Sequence, residues 1–306
     1  MTTVTPTNEK VSGAGEPIFT HISGSRKTTN TVMSVLMWTC MIVAMIPLVW
    51  VLWTVISRGI GPVLSPEWWT MDQSSTIALL PGGGAAHAII GTLMQTLVAS
   101  IISIPVGIFT AIYLVEYAHG SKLGKMTTFM VDILSGVPSI VAALFIYALW
   151  ITILGQGRSG LAVALSLILL MIPIVVRNTE EMLRVVPMDL REASYALGVP
   201  KWKTIARIVL PTALSGIVTG IMLAVARVMG ESAPVLILVG STSSVNWDPT
   251  GGPQSSLPLM MLDMYKSGTA QPIMDKLWGA ALTLVILVVV INLVARLISA
   301  RFAIKK

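Results

Sequence analysis

Arg227 and Glu231 stand four residues apart in Val225-Ala226-Arg227-Val228-Met229-Gly230-Glu231-Ser232-Ala233-Pro234, at the end of a long apolar run. Four residues make about one helical turn, which predicts both side chains on one helix face. A planar guanidinium donates paired hydrogen bonds to a tetrahedral oxyanion, and a neighbouring carboxylate can hold it until such an anion arrives. Arginine at the centre of a span costs roughly 2.5–3.5 kcal/mol on insertion scales, so a charge there faces the bundle interior or water. Its position near the end of the run leaves a second reading open, an ordinary ion pair at the outer interface. Arg177, closing Ile174-Val175-Val176-Arg177, reads as a cation snorkelling to the membrane surface. Asp132, at the start of another apolar run, reads equally as an interfacial helix cap or as a functional carboxylate. A membrane-embedded enzyme would have to use Asp132, Glu231 and His87, which lie far apart in the chain and form no hydrolase motif. The sequence contains no G-x-x-x-x-G-K-[ST], H-E-x-x-H or G-x-S-x-G and no Cys/His cluster, so neither nucleotide hydrolysis nor metal chemistry has a local signature. The single cysteine, Cys40, excludes an intrachain disulfide.

The elements that must position these groups are apolar. Of 306 residues, 54% are hydrophobic and 11% charged, against roughly 25% charged in soluble domains. So few charges cannot coat a soluble globule, and a mean hydropathy of +0.82 agrees with an integral membrane protein. Runs long enough to cross a bilayer as helices, about 20 residues, lie at Thr28–Ser57, Ala88–Val115, Ile133–Gly157, Ser159–Val176, Ile208–Ala226 and Leu277–Ala295. They predict an all-α polytopic protein with six transmembrane helices. Ser232–Val245 is shorter and holds Pro234 and Gly240, so it is expected to be re-entrant or interfacial. Within the third run, Ser135-Gly136-Val137-Pro138-Ser139 predicts a kink. Trp68 and Trp69 sit at the edge of a span, as interfacial belt residues do.

The basic residues sort by side. Lys10, Arg26 and Lys27, then Lys122 and Lys125, then Arg177, Arg184, Arg191, Lys201, Lys203 and Arg207, and finally Arg296, Arg301, Lys305 and Lys306 share one side. The other side keeps Arg58, Arg158, Lys266 and Lys276. The positive-inside rule then places both termini in the cytoplasm, and the formal net charge of +6 requires no nucleic acid. Residues 1–29 are polar and rich in Thr, Ser and Gly, too long and hydrophilic to begin a cleaved signal, and are expected to form a flexible cytoplasmic arm. The transmembrane domain is expected at 30–300, with a cytoplasmic loop at 177–211 and a basic tail at 301–306.

That loop contains Arg191-Glu192-Ala193-Ser194-Tyr195-Ala196-Leu197-Gly198-Val199-Pro200 and continues to Ile208-Val209-Leu210-Pro211. It predicts a short helix, a glycine stop, a turn at Pro200 and a basic amphipathic segment leading into the next span. Leu190, Ala193 and Leu197 fall on one face, suited either to the membrane surface or to a partner's groove. The spacing resembles the cytoplasmic signature of ABC importer permeases: E-A-A, three residues, G, nine residues, I, one residue, L-P. Glu192, Ala193, Gly198, Ile208, Leu210 and Pro211 match, and Ser194 departs from the second alanine. The resemblance implies the type I permease fold and a coupling helix at Arg191–Pro200 that docks on a separate ATPase subunit, the user of ATP and Mg. This assigns ATPase coupling to Arg191, Glu192, Ala193, Ser194, Gly198 and Pro200.

Gly136-Val137-Pro138-Ser139-Ile140-Val141 and the 226–234 run are similar to those of phosphate-specific importer permeases, and the motif order is closest to the PstA-type subunit. What the resemblance implies is inward movement of inorganic phosphate through a heterodimer with a PstC-type permease. It further implies two ATPase subunits and an extracytoplasmic phosphate-binding protein, with this chain in the bacterial plasma membrane holding no cofactor. Arg227, Glu231 and Arg177 match the family positions associated with the phosphate path. A sulfate or molybdate permease would use the same loop and similar anion physics; a self-sufficient channel would leave the coupling signature without a purpose.

Overall fold

The computed structural model describes residues 24–118 and 120–302, with no strand among them. Contacts divide the chain into two units, Met1–Trp53 and Thr54–Lys306. The expected arm lies outside the described residues as far as residue 23, and helix α1 (Gly24–Leu64) then begins. In the first unit α1 exposes Val35, Trp38, Trp50 and Trp53, the all-round apolar surface of a helix suited to hydrocarbon. The hydroxyls of Thr28, Thr31 and Thr39 donate to carbonyls four residues back, so they bring no unsatisfied donor into that environment.

The second unit starts in the last turns of α1, where Val55 and Gly59 are buried. The helices that follow are α2 (Pro66–Thr70), α3 (Ala86–Ile112), α4 (Lys122–Ser135), α5 (Ser139–Ile146), α6 (Gly160–Val185), α7 (Met188–Ala196), α8 (Lys201–Thr204), α9 (Leu210–Met229), α10 (Ala233–Leu238), α11 (Leu257–Ser267) and α12 (Gln271–Phe302). π-Helical stretches extend α3 (Tyr113–Tyr117) and α5 (Tyr147–Ile153) and join α8 to α9 (Ile205–Val209). The axis is α6: Met171, Val175, Val176 and Leu183 are fully buried, and α3, α4, α5, α9 and α10 pack on it. Glycine permits the closest approaches. A Cβ on Gly107 of α3 would fall 2.6 Å from Val175, and Gly220 of α9 abuts Asn178. Between apolar helices in lipid, such backbone proximity supplies the van der Waals contact that substitutes for a hydrophobic drive.

Five helical stretches are long and apolar enough to cross a bilayer: α1, α3 with its π turn, α6, Lys201–Met229 and α12. The expected third crossing differs from a continuous span, because α4 and α5 meet at 104°. Pro138 lacks an N–H and disfavours helical backbone at Val137. The N–H groups of Gly136 and Val137 turn back to the carbonyls of Ile133 and Leu134, at 3.0 and 3.2 Å. The expected kink is thus a full corner, and the Ser135 hydroxyl donates to the Val131 carbonyl at 2.8 Å. Asp132 consequently lies in the last turn of α4, not at the start of a span. The fourth run also extends further than its charge-free stretch, to Val185, which puts Arg177 inside a helix. α10 has six residues and ends before Gly240, whose φ is +76°, as suits a short packed segment.

The segments between spans fold back onto the bundle. Gln254, 1% exposed, accepts from Gln95 at 3.2 Å and donates to the Asn246 carbonyl at 3.2 Å. The N–H of Leu257 donates to the Thr92 hydroxyl at 2.8 Å. Asp72 accepts from Ser74 and from the Val245 N–H, and the Ser74 hydroxyl is the main reason its carboxyl is held below the ordinary carboxylate range. Trp68 departs from the belt expectation. It is 2% exposed, packs with Ala85, Ala88, Ile273 and Ala280, and donates from Nε1 to the Thr283 hydroxyl at 2.8 Å. Adjacent positions on a helix point about 100° apart, so Trp69 is left outside. Trp68→Ala is expected to destabilise the protein by about 3–5 kcal/mol and Trp69→Ala by about 1 kcal/mol or less, read from thermal unfolding in detergent.

Candidate functional site

α7 is closed by the residue that the sequence pattern singles out. Gly198 has φ +74°, its N–H donates to the Tyr195 carbonyl at 2.9 Å, and the Val199 N–H donates to the Ser194 carbonyl at 3.2 Å. These are the two bonds of a Schellman ending. A Cβ at 198 would have open space, so glycine is required by its backbone angle alone. Pro200 then caps α8.

The two faces of α7 have different roles. Arg191 and Ser194 are buried, at 6% and 3% exposed. Arg191 donates from Nε and Nη2 to Glu116 Oε1 at 3.1 and 2.9 Å. It also donates to the carbonyls of Val186 at 2.6 Å and Leu183 at 3.0 Å. Those carbonyls lie at the C-terminal end of α6, where the helix dipole favours a cation. Lys201 adds a bond from Nζ to the Glu116 carbonyl and lies 4.8 Å from the Tyr117 ring centroid. Leu190, Glu192, Ala193 and Leu197 are exposed, Leu197 to 82%. The shared face of Leu190, Ala193 and Leu197 is therefore present and open. Arg191 and Ser194, expected among the coupling contacts, instead turn inward and hold the helix in place. Ser194 Oγ pairs with Thr204 Oγ1 at 2.8 Å, a bond that alanine at this position could not make.

The charges on the long helices separate into two groups. Arg177 pairs with Asp132 of α4 and with Glu180 at 2.8 Å, and Glu180 also receives Arg184 at 2.6 Å. Arg177 is thus paired with two carboxylates, and α6 continues for two turns beyond it. Asp132, Glu180 and Arg184 line a cavity of about 480 Å³ with Lys125, Thr128 and Phe129. Arg227 lies in the last turn of α9 and is exposed. Glu231 falls beyond the Gly230 cap, its N–H bonded to the Val228 carbonyl at 3.2 Å. No ion pair joins the two among the described residues: the helix ends between them, so their spacing does not amount to a helical turn. His87 is buried at 4% exposure with Nδ1 unpartnered. Among the described residues, no group of three His, Cys, Asp or Glu is placed to hold a metal.

Residues 103–305 match the family described as binding-protein-dependent transport system inner membrane component. The chain belongs to that family. It is 51% identical over 281 residues to the phosphate transport system permease protein PstA 1 of Mycobacterium tuberculosis (strain CDC 1551 / Oshkosh), covering 92% of each chain. To the phosphate transport system permease protein PstA of Yersinia pestis it is 38% identical over 276 residues, covering 90% of this chain and 92% of the other. A chain of the bacterial alginate ABC transporter, solved with an alginate pentasaccharide-bound periplasmic protein, superimposes with a TM-score of 0.61 at 16% identity. The match covers 90% of this chain and 96% of that one. A chain of the inward-facing MetNI methionine ABC transporter gives 0.58 at 20% identity, over 70% and 94%. At these identities the structural likeness is one of fold, and it is the all-α importer-permease fold expected from the motifs. The protein is a multi-pass membrane permease, a transport subunit and not an enzyme.

Glu116 is the residue of this permease site that the motifs do not reveal. Its signal is faint: one carboxylate closing an apolar run at Val115-Glu116-Tyr117. Its weight comes from burial, with side chains 7% and 5% exposed for Arg191 and Glu116. Removing one partner of such a pair leaves the other as an uncompensated buried charge, so Arg191→Ala is expected to cost about 3–5 kcal/mol. Exposed Glu192→Ala is expected to stay within about 0.5 kcal/mol. Thermal midpoints of the two purified variants check the contrast.

Proposed function

We propose that this permease is a membrane subunit of an ATP-driven importer that carries inorganic phosphate into the cytoplasm. The reading rests first on α7: an exposed apolar face of Leu190, Ala193 and Leu197 on a helix that Arg191 joins to the ends of both α3 and α6. Force applied at that face reaches two spans without passing through a flexible linker. Glu192, Ala193, Gly198 and Pro200 form the contact with the ATPase, and Arg191 and Ser194 hold it. Two copies of that ATPase subunit bind ATP and Mg, and this chain holds no cofactor.

The cargo is supported by the phosphate transport role printed for the relatives and by Arg227, an exposed cation outside any ion pair among the described residues. Its fork suits a tetrahedral oxyanion. Arg227, Glu231 and Arg177 belong to the path. Thr212, Ser215, Thr219, Leu223 and Arg227 form one exposed stripe along α9, which a PstC-type permease subunit covers in a heterodimer. The distribution of basic residues supports a cytoplasmic position for the α7 end and both termini. An extracytoplasmic phosphate-binding protein then meets the opposite side.

In vesicles holding the complete complex, with ATP and the phosphate-binding protein supplied, Arg227→Gln is expected to lower phosphate uptake at least about tenfold with the complex still assembled. Uptake equal to wild type would remove Arg227 from the path. Gly198→Val forces a branched side chain into the left-handed region and is expected to leave ATP hydrolysis without uptake. Excess sulfate or molybdate is expected to leave phosphate uptake unchanged, and equal competition would reassign the cargo.

A further inference from the structure

Arg58 is the first charge after the apolar run that ends at Ser57, and Lys276 is the last before the run that starts at Leu277. Two helices thus place a cation at the same membrane boundary, and both cations line one cavity of about 550 Å³ between the end of α1, α2 and the start of α12. Glu67 and Asp275 stand in the same wall. Trp68, also in that wall, packs on Ala85 at the start of α3, so the cavity lies at the opposite end of that helix from Glu116 and α7.

None of the four charged groups takes part in an ion pair among the described residues. Lys276 is 4% exposed and donates to the carbonyls of Ile77 and Leu80 at 3.2 and 3.0 Å. Those bonds use two of the three ammonium donors, and a buried cation without a carboxylate is costly. One N–H is left for a ligand. The Arg58 guanidinium lies 5.6 Å from the Trp278 ring centroid, a contact made through its face that leaves the N–H edge free to donate. Glu67 is exposed and Asp275 half-buried, the latter accepting from Gln271 at 2.8 Å. Two cations and two carboxylates give the wall no net charge, which offers nothing to a simple anion and suits a group that carries both signs. The apolar surface continues from the same place: Ile60 lines the cavity, and Ile56, one turn nearer the bilayer on α1, is 45% exposed. Trp69, with Nε1 donating to the Val63 carbonyl at 2.8 Å, is placed beside it as aromatic residues are at headgroup level.

We propose that this cavity holds the headgroup of a zwitterionic lipid with a primary amine, of phosphatidylethanolamine chemistry. Its phosphate meets Arg58 and Lys276, its ammonium meets Glu67 and Asp275, and an acyl chain runs along Ile60 and Ile56. A choline headgroup carries the same phosphate but has no N–H to donate to the two carboxylates, so the site separates the two lipids. The inference goes beyond the transport reading and does not depend on the cargo.

The test uses the purified complete complex in detergent, its thermal midpoint followed during parallel titrations with phosphatidylethanolamine, phosphatidylcholine and phosphatidylglycerol. Wild type is expected to shift upward with phosphatidylethanolamine alone. Arg58→Gln and Glu67→Gln, both at exposed positions, are each expected to raise the concentration for the half-maximal shift about tenfold. Lys266→Gln, which removes a cation outside the cavity, is expected to leave it unchanged. An equal response to phosphatidylcholine, a larger one to phosphatidylglycerol, or identical phosphatidylethanolamine titrations of wild type and both variants overturns the site. So does weaker capture of the extracytoplasmic binding protein by the two variants with their lipid titrations unchanged, which assigns the wall to a protein contact.

Discussion

The guanidinium of Arg191 is the joint on which the arrangement depends. It meets Glu116 at the end of α3 and two terminal carbonyls of α6 while belonging to α7. Withdrawing two charges from water costs several kcal/mol per ion, and only close geometry with further hydrogen bonds offsets that cost. Arg191 has both, with its donors directed at the Glu116 carboxylate and at carbonyls of the α6 C-terminus. The orientation of α7 follows, and with it the choice of which residues face outward. A surface helix resting on apolar contacts alone could roll, whereas one held through a fixed planar fork has a single outward face.

A second constraint is the packing of α6. Its two ends are tied by polar contacts, at Leu161 N–H to the Pro249 carbonyl, 2.6 Å, and at Leu183 and Val186 to Arg191. Between these ties the contacts are largely apolar, with glycines of α3 and α9 bringing their backbones close to Val175 and Asn178. A bundle so divided is fixed in register at its ends and close-packed between them.

Parts of this were legible in the residues, for reasons specific to each. The helix α7 could be read because its stop is local: glycine at 198 suits a left-handed angle whatever surrounds it. The corner at Gly136–Pro138 was legible as a kink, because proline removes a donor wherever it stands, but its 104° angle depends on what α4 and α5 pack against. The pairing of Arg227 with Glu231 assumed a helix through both, and the Gly230 ending removed that premise. Trp68 and Trp69 are chemically identical neighbours, and only the position of α2 against α12 separates a core side chain from an exposed one.

The sequence by itself determined the membrane class, the placing of most apolar spans, the family and the short helix closed by Gly198, because composition, apolar run length and turn chemistry act over short stretches of chain. Only the tertiary structure decided that Arg191 and Ser194 turn inward and hold α7, that Glu116 anchors Arg191, and that Arg177 is shared between Asp132 and Glu180. Those pairings join residues as much as 75 positions apart. Coulomb attraction and burial depend on distance in space, and that distance is set by the packing of α3, α4 and α7 on α6.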